Sequence, residues 1–398
     1  MNQATKDYIK KHAKEDVRQL ALRGTKDSEV DLTFALEQIA GRQKAKTKIP
    51  SWAETEGIIY PSHLSMEQCS SEQTARYKAS IAGEGMLVVD LTAGFGVDLV
   101  YISQCFKKAI HVEQQPQLCA ISSENYKVLG LNHVEVVCGD GIDYLHQLDH
   151  ADLIFLDPAR RDEHGGRTYG IADCTPNVLE IRDELLEKAN RVMLKLSPML
   201  DWRKAVEDLG NVSEVHIVSV DNECKELLLM MEKEEKSLKV VCVNNGSVFE
   251  VGAFMRTFRP PLTPPNSGGE RRYLFEPNGR YLFEPNASVM KAGCFDELQS
   301  RFPVMQLDKN SHLFVSDKDI DDFPGRRFII KRTTSMNKRD LKTALEGISR
   351  ANITVRNFPI SVAELRKRLK LKEGGEVFIF ATTVERNSHQ LFICRKIA

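Results

Sequence analysis

Between residues 86 and 196, short apolar runs alternate with longer helical patterns, and this alternation restricts the chain to few folds. The apolar runs are almost continuous, and they span residues 87–89, 109–112, 134–137, 153–156 and 191–196. Helical patterns lie between them at 97–106, 116–129 and 177–189. Strands that are apolar on both faces are typical of a parallel sheet with helices on each side. We therefore predict the α/β class, with a Rossmann-like core.

The flanks of this core carry different patterns. Apolar residues at helical spacing predict an N-terminal helical region over residues 1–67. After the fifth strand, the runs 214–220 and 226–231 are too close together for a crossover helix, so an antiparallel pair at the edge of the sheet is expected. The dipeptide Asn245-Gly246 between two apolar runs predicts a hairpin turn.

The chain has 398 residues, which indicates more than one domain. Residues 256–286 are rich in Pro and Gly and predict a linker. This linker contains the sequence Arg-Tyr-Leu-Phe-Glu-Pro-Asn twice, at 272–278 and at 280–286, and we interpret one copy as an insertion. The expected folded segments are an α/β core at 68–255, a small α+β segment at 287–324 and a last α+β domain at 325–398.

Charge is distributed unevenly, although the whole chain sums to −1. Residues 325–398 hold 17 Lys and Arg against 6 Asp and Glu, a net charge of +11, which leaves −12 on the rest of the chain. A basic domain of this kind indicates a polyanionic partner, with nucleic acid as the leading candidate. The alternative is a solvated basic surface that docks on the acidic remainder of the chain.

Composition disfavours several protein classes. A run of about 18 apolar residues is missing, so no membrane span is expected, and the polar start has no secretory pattern. The nine cysteines are scattered without a Cys-x-x-Cys pair. That pattern predicts reduced thiols in the cytoplasm and no metal site.

The strongest chemical signal is the segment from Asp90 to Asp98, Asp-Leu-Thr-Ala-Gly-Phe-Gly-Val-Asp, between the first strand and a helix. Gly94 and Gly96 allow the backbone to approach a ligand at the start of the helix. The segment is not a dinucleotide fingerprint, because Leu99 replaces its third glycine and the carboxylate of Asp90 would repel a pyrophosphate. An acid here suits a cation, such as the amino group of a methionine moiety. The expected ligand contacts are Asp90, Thr92, Ala93, Gly94, Phe95, Gly96 and Asp98.

Two further acids follow the next two strands. Glu113 ends the second strand, where a ribose hydroxyl needs an acceptor. Asp140, which precedes Gly141, follows the third strand and is placed to accept a hydrogen bond from an adenine amino group. Ligands bind at the carboxyl ends of strands in open α/β sheets. Each acid alone could be a helix cap or a solvated loop residue, but three in register favour a ligand.

The segment Asp157-Pro158-Ala159-Arg160-Arg161 follows the fourth strand. Asp157 could accept a hydrogen bond from an attacking N–H or O–H group. Pro158 fixes the turn, and Arg160 or Arg161 could hold a phosphate. The alternative is a strand-end turn with surface arginines.

Other segments could complete this edge of the sheet. The Gly-rich loop 163–168 suits a substrate lid, and residues 195–198 after the fifth strand could line a target pocket. A thiolate nucleophile would have to be Cys174 or Cys224. Neither follows a proline, so we interpret both as buried or incidental.

The segments 90–98 and 157–161, together with 63–71, resemble the class I S-adenosylmethionine-dependent methyltransferases that carry a C-terminal THUMP-like domain. The resemblance covers almost the whole chain apart from the repeat. It implies S-adenosylmethionine as the cofactor and methyl transfer by in-line displacement at the Asp157 edge. It also implies that 287–324 is ferredoxin-like, that 325–398 is THUMP-like, and that RNA (tRNA or rRNA) is the partner.

One departure from better-known relatives concerns the methylated group. Enzymes that methylate base amino groups often carry Asn/Asp-Pro-Pro-aromatic after the fourth strand, where this chain has Ala159 and Arg160. A stacking platform for a flipped base would then come from elsewhere, for example Tyr169 or Trp202. Two other functions stay open: a non-catalytic RNA-binding protein on this scaffold, and a methyltransferase for a protein or a small molecule.

Overall fold

The structure is a computed structural model, and it describes residues 1–160, 170–254, 280–384 and 388–397. Contacts within the chain divide it into two compact units. The first comprises Met1–Val218 and Lys225–Lys239, and the second comprises Ser219–Cys224 and Val240–Ala398.

The first unit begins with the expected helices. They are α1 (Gln3–His12), α2 (Val17–Arg23), α3 (Leu32–Lys48), α4 (Pro50–Glu54), α5 (His63–Gln68) and α6 (Glu72–Ala82). Asn2, Asp16, Asp31 and Ser71 each accept a hydrogen bond from a backbone amide of the first turn. These side-chain caps define the starts of four of the helices.

The α/β core follows. Its strands are β1 (Gly85–Asp90), β2 (Phe106–Glu113), β3 (Val134–Cys138), β4 (Ala151–Leu156), β5 (Ala159–Arg160), β6 (Cys174–Thr175), β7 (Ala189–Leu196), β8 (Val212–Val220) and β9 (Glu223–Met231). Its helices are α7 (Val97–Ile102), α8 (Pro116–Val128), α9 (Gly141–Gln147), α10 (Val178–Lys188) and α11 (Trp202–Leu209).

The strands of the first unit's main sheet run in the order β8-β9-β7-β4-β1-β2-β3. The pairs β1–β2, β1–β4, β2–β3 and β4–β7 are parallel, whereas β9 runs antiparallel to β7. The predicted Rossmann-like core is therefore confirmed, with β9 as an antiparallel strand beside β7. All the parallel strands end at one edge of the sheet, which is where a ligand site is expected.

The helix predicted over 97–106 is shorter than expected. It ends at Ile102, and after a 3-10 turn β2 begins at Phe106, earlier than the predicted 109. Phe106 is buried, but Lys107 and Lys108 after it are exposed. Two solvated lysines interrupt the apolar run, and so they hide the start of the strand in the sequence.

The second unit contains a hairpin and a second sheet. Its strands are β10 (Leu238–Asn244), β11 (Ser247–Phe254), β12 (Tyr281–Pro285), β13 (Met305–Gln306), β14 (Phe314–Ser316), β15 (Gly325–Ser335), β16 (Asn352–Arg356), β17 (Val377–Val384) and β18 (Ser388–Lys396). Its helices are α12 (Ala287–Ala292), α13 (Phe295–Arg301), α14 (Lys338–Ala344) and α15 (Val362–Leu369). The predicted turn at Asn245-Gly246 joins β10 to β11.

The strands of the second sheet run in the order β13-β14-β12-β15-β18-β17-β16. The strand β12 is the second copy of the repeat, and it pairs antiparallel with both β14 and β15. The first copy lies outside the described residues. Because β12 bridges them, the segments on the two sides of residue 325 share one sheet, although the sequence pattern treats them as separate.

Candidate active site

A cavity of about 820 Å³ opens at the carboxyl ends of the parallel strands. All of its lining residues belong to the first unit. The predicted site residues that line it are Asp90, Thr92, Ala93, Gly94, Phe95, Gly96, Asp98, Glu113, Asp140, Gly141, Asp157 and Pro158. Arg161 lies outside the described residues, as does the 163–168 loop, and only the backbone of Arg160 is described.

The turn after β1 has two glycines with positive φ, 56° at Gly94 and 80° at Gly96. A Cβ atom at Gly96 would lie 2.1 Å from the hydroxyl of Tyr126, which is itself 2.6 Å from Nδ1 of His111. A Cβ at Gly94 would have no atom closer than the carbonyl oxygen of Thr92, at 4.0 Å. Gly96 is therefore required for packing, whereas Gly94 leaves space on the cavity side.

Glu113 ties this turn to the end of β2. One of its carboxylate oxygens accepts a hydrogen bond from the amide of Gly94 at 2.9 Å, and the other accepts one from the amide of Gln115 at 2.8 Å. The residue is 9% exposed. Two backbone donors thus fix the carboxylate in the wall of the cavity, where its remaining lone pairs can accept from a diol.

The two carboxylate oxygens of Asp140 have different partners. Its Oδ1 caps α9 by accepting from the amides of Ile142 and Asp143, at 2.7 and 3.2 Å. Its Oδ2 accepts from the side chain of Gln114 at 2.7 Å. The helix-cap interpretation is therefore correct for Asp140, and the same side chain also lines the cavity.

Asp90 is almost completely buried, with 1% of its surface exposed. Among the described residues its carboxylate accepts one hydrogen bond, from the amide of Thr92 at 3.0 Å. Burial raises the pKa of Asp90 well above its usual range, and the nearby Asp98 and Asp157 raise it further. A buried carboxyl in this state gains from a cationic ligand, because the ligand supplies the missing opposite charge.

Asp98 is engaged by side chains of the protein itself. It accepts a hydrogen bond from Ser70 at 2.7 Å, and it lies 3.1 Å from Nζ of Lys78 and 3.7 Å from Nζ of Lys195. Lys78 also pairs with Glu226, at 2.6 Å. The assignment of Asp98 as a cofactor ligand stays a prediction, and its described contacts are those of a structural ion pair.

The Asp157 edge combines the ends of three strands. The amide of Asp157 donates to the hydroxyl of Thr92 at 2.6 Å, which joins the ends of β4 and β1. Its Oδ2 accepts from Nζ of Lys195, in β7, at 2.5 Å. The predicted lining by residues 195–198 agrees with the structure, since all four of them line the cavity.

Three other candidates have different outcomes. Cys174 pairs with Arg160 between β6 and β5 and lines the cavity, but only 2% of it is exposed. Cys224 belongs to the second unit, and its thiol donates to the carbonyl of Ala287 at 3.2 Å. Trp202 is wrong as a stacking platform, since it is 1% exposed and does not line the cavity. Tyr169 lies outside the described residues.

The residues that sequence reasoning missed are Ser70, Lys78 and Glu226. Ser70 lies between α5 and α6, Lys78 lies within α6 and Glu226 lies in β9, and Lys78 and Glu226 are 148 positions apart in sequence. Lys78 has no exposed surface, although lysine in a helix usually indicates a solvated face. The segment 63–71 was singled out only for its family resemblance, and that signal pointed to Ser70.

In the described part of the chain, no group of three or more His, Cys, Asp or Glu side chains could hold a metal ion. None of the helices there is both long and apolar enough to cross a membrane.

Family models match three segments of the chain. Residues 70–161 match the protein-L-isoaspartate(D-aspartate) O-methyltransferase family. Residues 281–324 match a ferredoxin-like domain, and residues 325–396 match a THUMP domain-like family. No curated protein matches the sequence.

Among solved structures, the chain is similar to a "putative methyltransferase" from Porphyromonas gingivalis W83, with 29% identity and a TM-score of 0.85 over 99% of this chain and 98% of that one. An rRNA methylase from Streptococcus thermophilus has 17% identity and a TM-score of 0.30, over 41% and 94%. TrmK from M. capricolum, in complex with S-adenosyl-homocysteine, has 12% identity and a TM-score of 0.32, over 41% and 69%.

The family models and the P. gingivalis structure confirm a methyltransferase core followed by ferredoxin-like and THUMP-like domains. S-adenosylmethionine, the expected cofactor, fits the cavity. The buried Asp90 suits its cationic amino group, the oriented Glu113 suits a diol, and Asp140 offers a further carboxylate on the lining of the same cavity.

Proposed function

We propose that this chain is an S-adenosylmethionine-dependent methyltransferase that acts on RNA, with tRNA or rRNA as the substrate. One observation carries the proposal. Asp90, Glu113 and Asp140, each at the end of a different parallel strand, line one cavity, and Asp157 lies on the edge of the same cavity. This arrangement provides a place for a cationic donor beside a group that can align a nucleophile.

When bound, S-adenosylmethionine supplies an electrophilic methyl group on a cationic sulfonium. Asp90 would hold the amino group of its methionine part, Glu113 its ribose hydroxyls and Asp140 its adenine amino group. The Thr92–Phe95 backbone borders the same space. Arg160 and Arg161 remain proposed phosphate ligands of the substrate.

Asp157 would align the methyl acceptor. Its Oδ2 is held by Lys195, and its side chain is 38% exposed. Among the described residues, Oδ1 has no hydrogen-bond partner. An acceptor N–H or O–H that donates to Oδ1 would have its lone pair directed away from Asp157, toward the donor.

The basic C-terminal domain supports RNA as the substrate, but part of its charge is used internally. Five of its arginines bind carboxylates or backbone carbonyls of the second unit: Arg326, Arg327, Arg332, Arg356 and Arg366. Other basic residues are exposed and have no ion pair with the described residues: Lys338, Arg339, Lys342, Lys367 and Arg368. These five lie on α14 and α15, which makes the two helices the strongest candidates for phosphate contacts.

The decisive experiment compares modified nucleosides by mass spectrometry in RNA from a gene-deletion strain and from its parent. One methylated nucleoside should be missing in the deletion strain. Purified protein with radiolabelled donor should then methylate RNA from the deletion strain and not RNA from the parent. Equal incorporation into both RNAs, with identical nucleoside profiles, would contradict the proposal that RNA is the substrate. Salt-dependent RNA binding without donor binding would instead favour a non-catalytic RNA-binding protein.

Replacement of Asp90 by Asn should weaken binding of S-adenosylhomocysteine, whose amino group is cationic. We expect a loss of roughly 10- to 100-fold at about pH 7.5, the usual value of one charge-assisted hydrogen bond. Because burial raises the pKa of Asp90 well above its usual range, the wild-type carboxyl takes up a proton as the pH is lowered, and a neutral carboxyl no longer attracts a cation. The affinity of the wild type for S-adenosylhomocysteine should thus decrease as the pH is lowered, whereas the affinity of Asp90→Asn should stay nearly constant.

Titration calorimetry at several pH values measures both effects. Asp143→Asn is the matched control, because Asp143 is an exposed acid that lies outside the cavity. The assignment of Asp90 fails when the variant binds as tightly as the wild type.

Removal of three charges from α14, by Lys338→Ala, Arg339→Ala and Lys342→Ala together, should weaken RNA binding at about 0.1 M salt by roughly 10-fold or more. The slope of log affinity against log salt should fall by about 2. Fluorescence anisotropy with tRNA at several salt concentrations measures both quantities. The control variant removes Lys6, Lys10 and Lys11, which are equally exposed on α1. Equal losses in both variants would show that α14 makes no special contact.

A further inference from the structure

Lys195 lies beside Asp157 because of the parallel register of two strands. The strands β4 and β7 pair up to Leu156 with Leu194, so the next residues, Asp157 just after β4 and Lys195 in β7, are also neighbours. Nζ of Lys195 is 2.5 Å from Oδ2 of Asp157. The lysine side chain is 12% exposed, against 38% for the aspartate. The cation is thus buried, and its partner reaches toward the cavity.

The side chains of Ser70 and Asp98 also contact the ammonium group of Lys195. Nζ of Lys195 donates to Oγ of Ser70 at 3.1 Å and lies 3.7 Å from Asp98. Asp98 is shared with Lys78, which pairs in turn with Glu226 at 2.6 Å. Asp98 therefore has two lysines near it. Asp157 has one, since no other cationic group of the described chain contacts it.

The side chain of Lys195 stays protonated. Burial by itself would lower the pKa of Lys195, but Asp157, Asp98 and Glu226 raise it above its ordinary value. A permanently charged donor on Oδ2 keeps the Asp157 side chain in one orientation. The oxygen left for a substrate is Oδ1, which has no hydrogen bond to the described residues.

We propose that Lys195 is a positioning residue, which holds Oδ2 of Asp157 so that Oδ1 accepts a hydrogen bond from the N–H or O–H of the methyl acceptor. This inference rests on the proposed function. The acceptor's lone pair forms the bond to the methyl carbon as the carbon–sulfur bond breaks and leaves its electron pair on sulfur. The acceptor's proton leaves along its hydrogen bond to Asp157 and passes to water.

A double-mutant cycle tests whether Lys195 acts through Asp157. Lys195→Met should lower kcat by about 30-fold or more, the scale of a misaligned reacting group, with KM for RNA and affinity for S-adenosylhomocysteine within about 3-fold of wild type. In an Asp157→Asn background the same substitution should change kcat by less than about 3-fold. Lys195→Arg keeps the charge and should recover at least about a third of the lost activity.

Lys204→Met is the matched control. It removes an exposed lysine that pairs with Asp208 at 2.6 Å, on α11, and it should leave kcat unchanged. An unaltered kcat in Lys195→Met overturns the proposal, and so does an equal loss in the Asp157→Asn background or an inactive Lys195→Arg.

Two further outcomes are separable. Should Lys195→Met alone fail to fold, a difference in kcat of more than about 3-fold between Asp157→Asn and the double variant would still overturn the proposal, and both variants can fold because neither leaves a carboxylate without its cation. Wild-type protein is assayed first on RNA from the deletion strain. A wild type without activity there contradicts the proposed function, whereas an active wild type with a fully active Lys195→Met contradicts only the role of Lys195.

Discussion

Replacement of Asp157 by Ala should lower methyl transfer by roughly 100-fold or more, the scale typical of losing a group that handles the acceptor's proton. The substitution removes both oxygens at the edge of the cavity, including Oδ1, which has no hydrogen bond to the part of the chain that the structure describes. Donor binding should stay within about 3-fold of wild type, since Asp90, Glu113 and Asp140 are untouched. Single-turnover assays on RNA from the deletion strain, together with calorimetry of S-adenosylhomocysteine, separate the two quantities.

The control for this prediction is Asp149→Ala. Asp149 is an exposed acid that precedes the amino end of β4, so the same strand keeps its length and loses one carboxylate far from the cavity. Its kcat should equal that of the wild type. Full turnover in Asp157→Ala would remove Asp157 from the reaction, and a parallel loss of donor affinity would place it in the cofactor site instead.

Gly96→Ala should destabilise the protein by about 2–4 kcal/mol, which combines the strain of a left-handed backbone with the cost of overpacking. The added Cβ meets the Tyr126 hydroxyl at 2.1 Å, and Cε1 of His111 is at 3.2 Å. The pair cannot easily move away, because both residues are buried and bonded to each other. Burial also lowers the pKa of His111 to about 3, so its imidazole is neutral. Urea denaturation measures the loss.

Gly94→Ala is the control for Gly96→Ala. Its φ is also positive, but the nearest atom to its Cβ is at 4.0 Å, so only the strain of about 1–2 kcal/mol applies. A larger side chain, as in Gly94→Val, should instead reduce donor affinity with a modest loss of stability. Tyr126→Phe combined with Gly96→Ala should be less destabilising than the sum of the two. Equal destabilisation by the two alanine variants would mean that Tyr126 moves freely.

The sequence predicts the parallel core and the acids at its strand ends because both depend on local patterns. A buried strand shows as an apolar run, and parallel strands bring their carboxyl ends together whatever else the chain does. Asp90, Glu113 and Asp140 could therefore be placed at one edge from spacing alone. Their own hydrogen bonds could not be foreseen, as the capping of α9 by Asp140 shows.

The sequence does not predict the ion pair of Lys78 and Glu226, because this pair depends on two residues that are far apart in the chain. Lys78 and Glu226 are charged residues at buried positions. Each is tolerated there because of its ion pairs, Lys78 with both Glu226 and Asp98, and Glu226 with Lys78. Neither residue belongs to a local sequence pattern that would predict its burial. Trp202 was misjudged for a related reason. An aromatic residue after a strand suits a stacking platform, but α11 directs this one into the core, where it is 1% exposed.

The strand β12 raises a different question, because an identical seven-residue sequence precedes it. The same side chains can make the same contacts, so connectivity must decide which copy occupies the sheet. Asn286 leads at once into α12 and caps it, whereas eight more residues separate Asn278 from that helix. The chain thus carries a second copy of the β12 sequence, and a duplication of this kind lengthens one connection at little thermodynamic cost. Such a copy is free to accumulate changes while its twin preserves the fold.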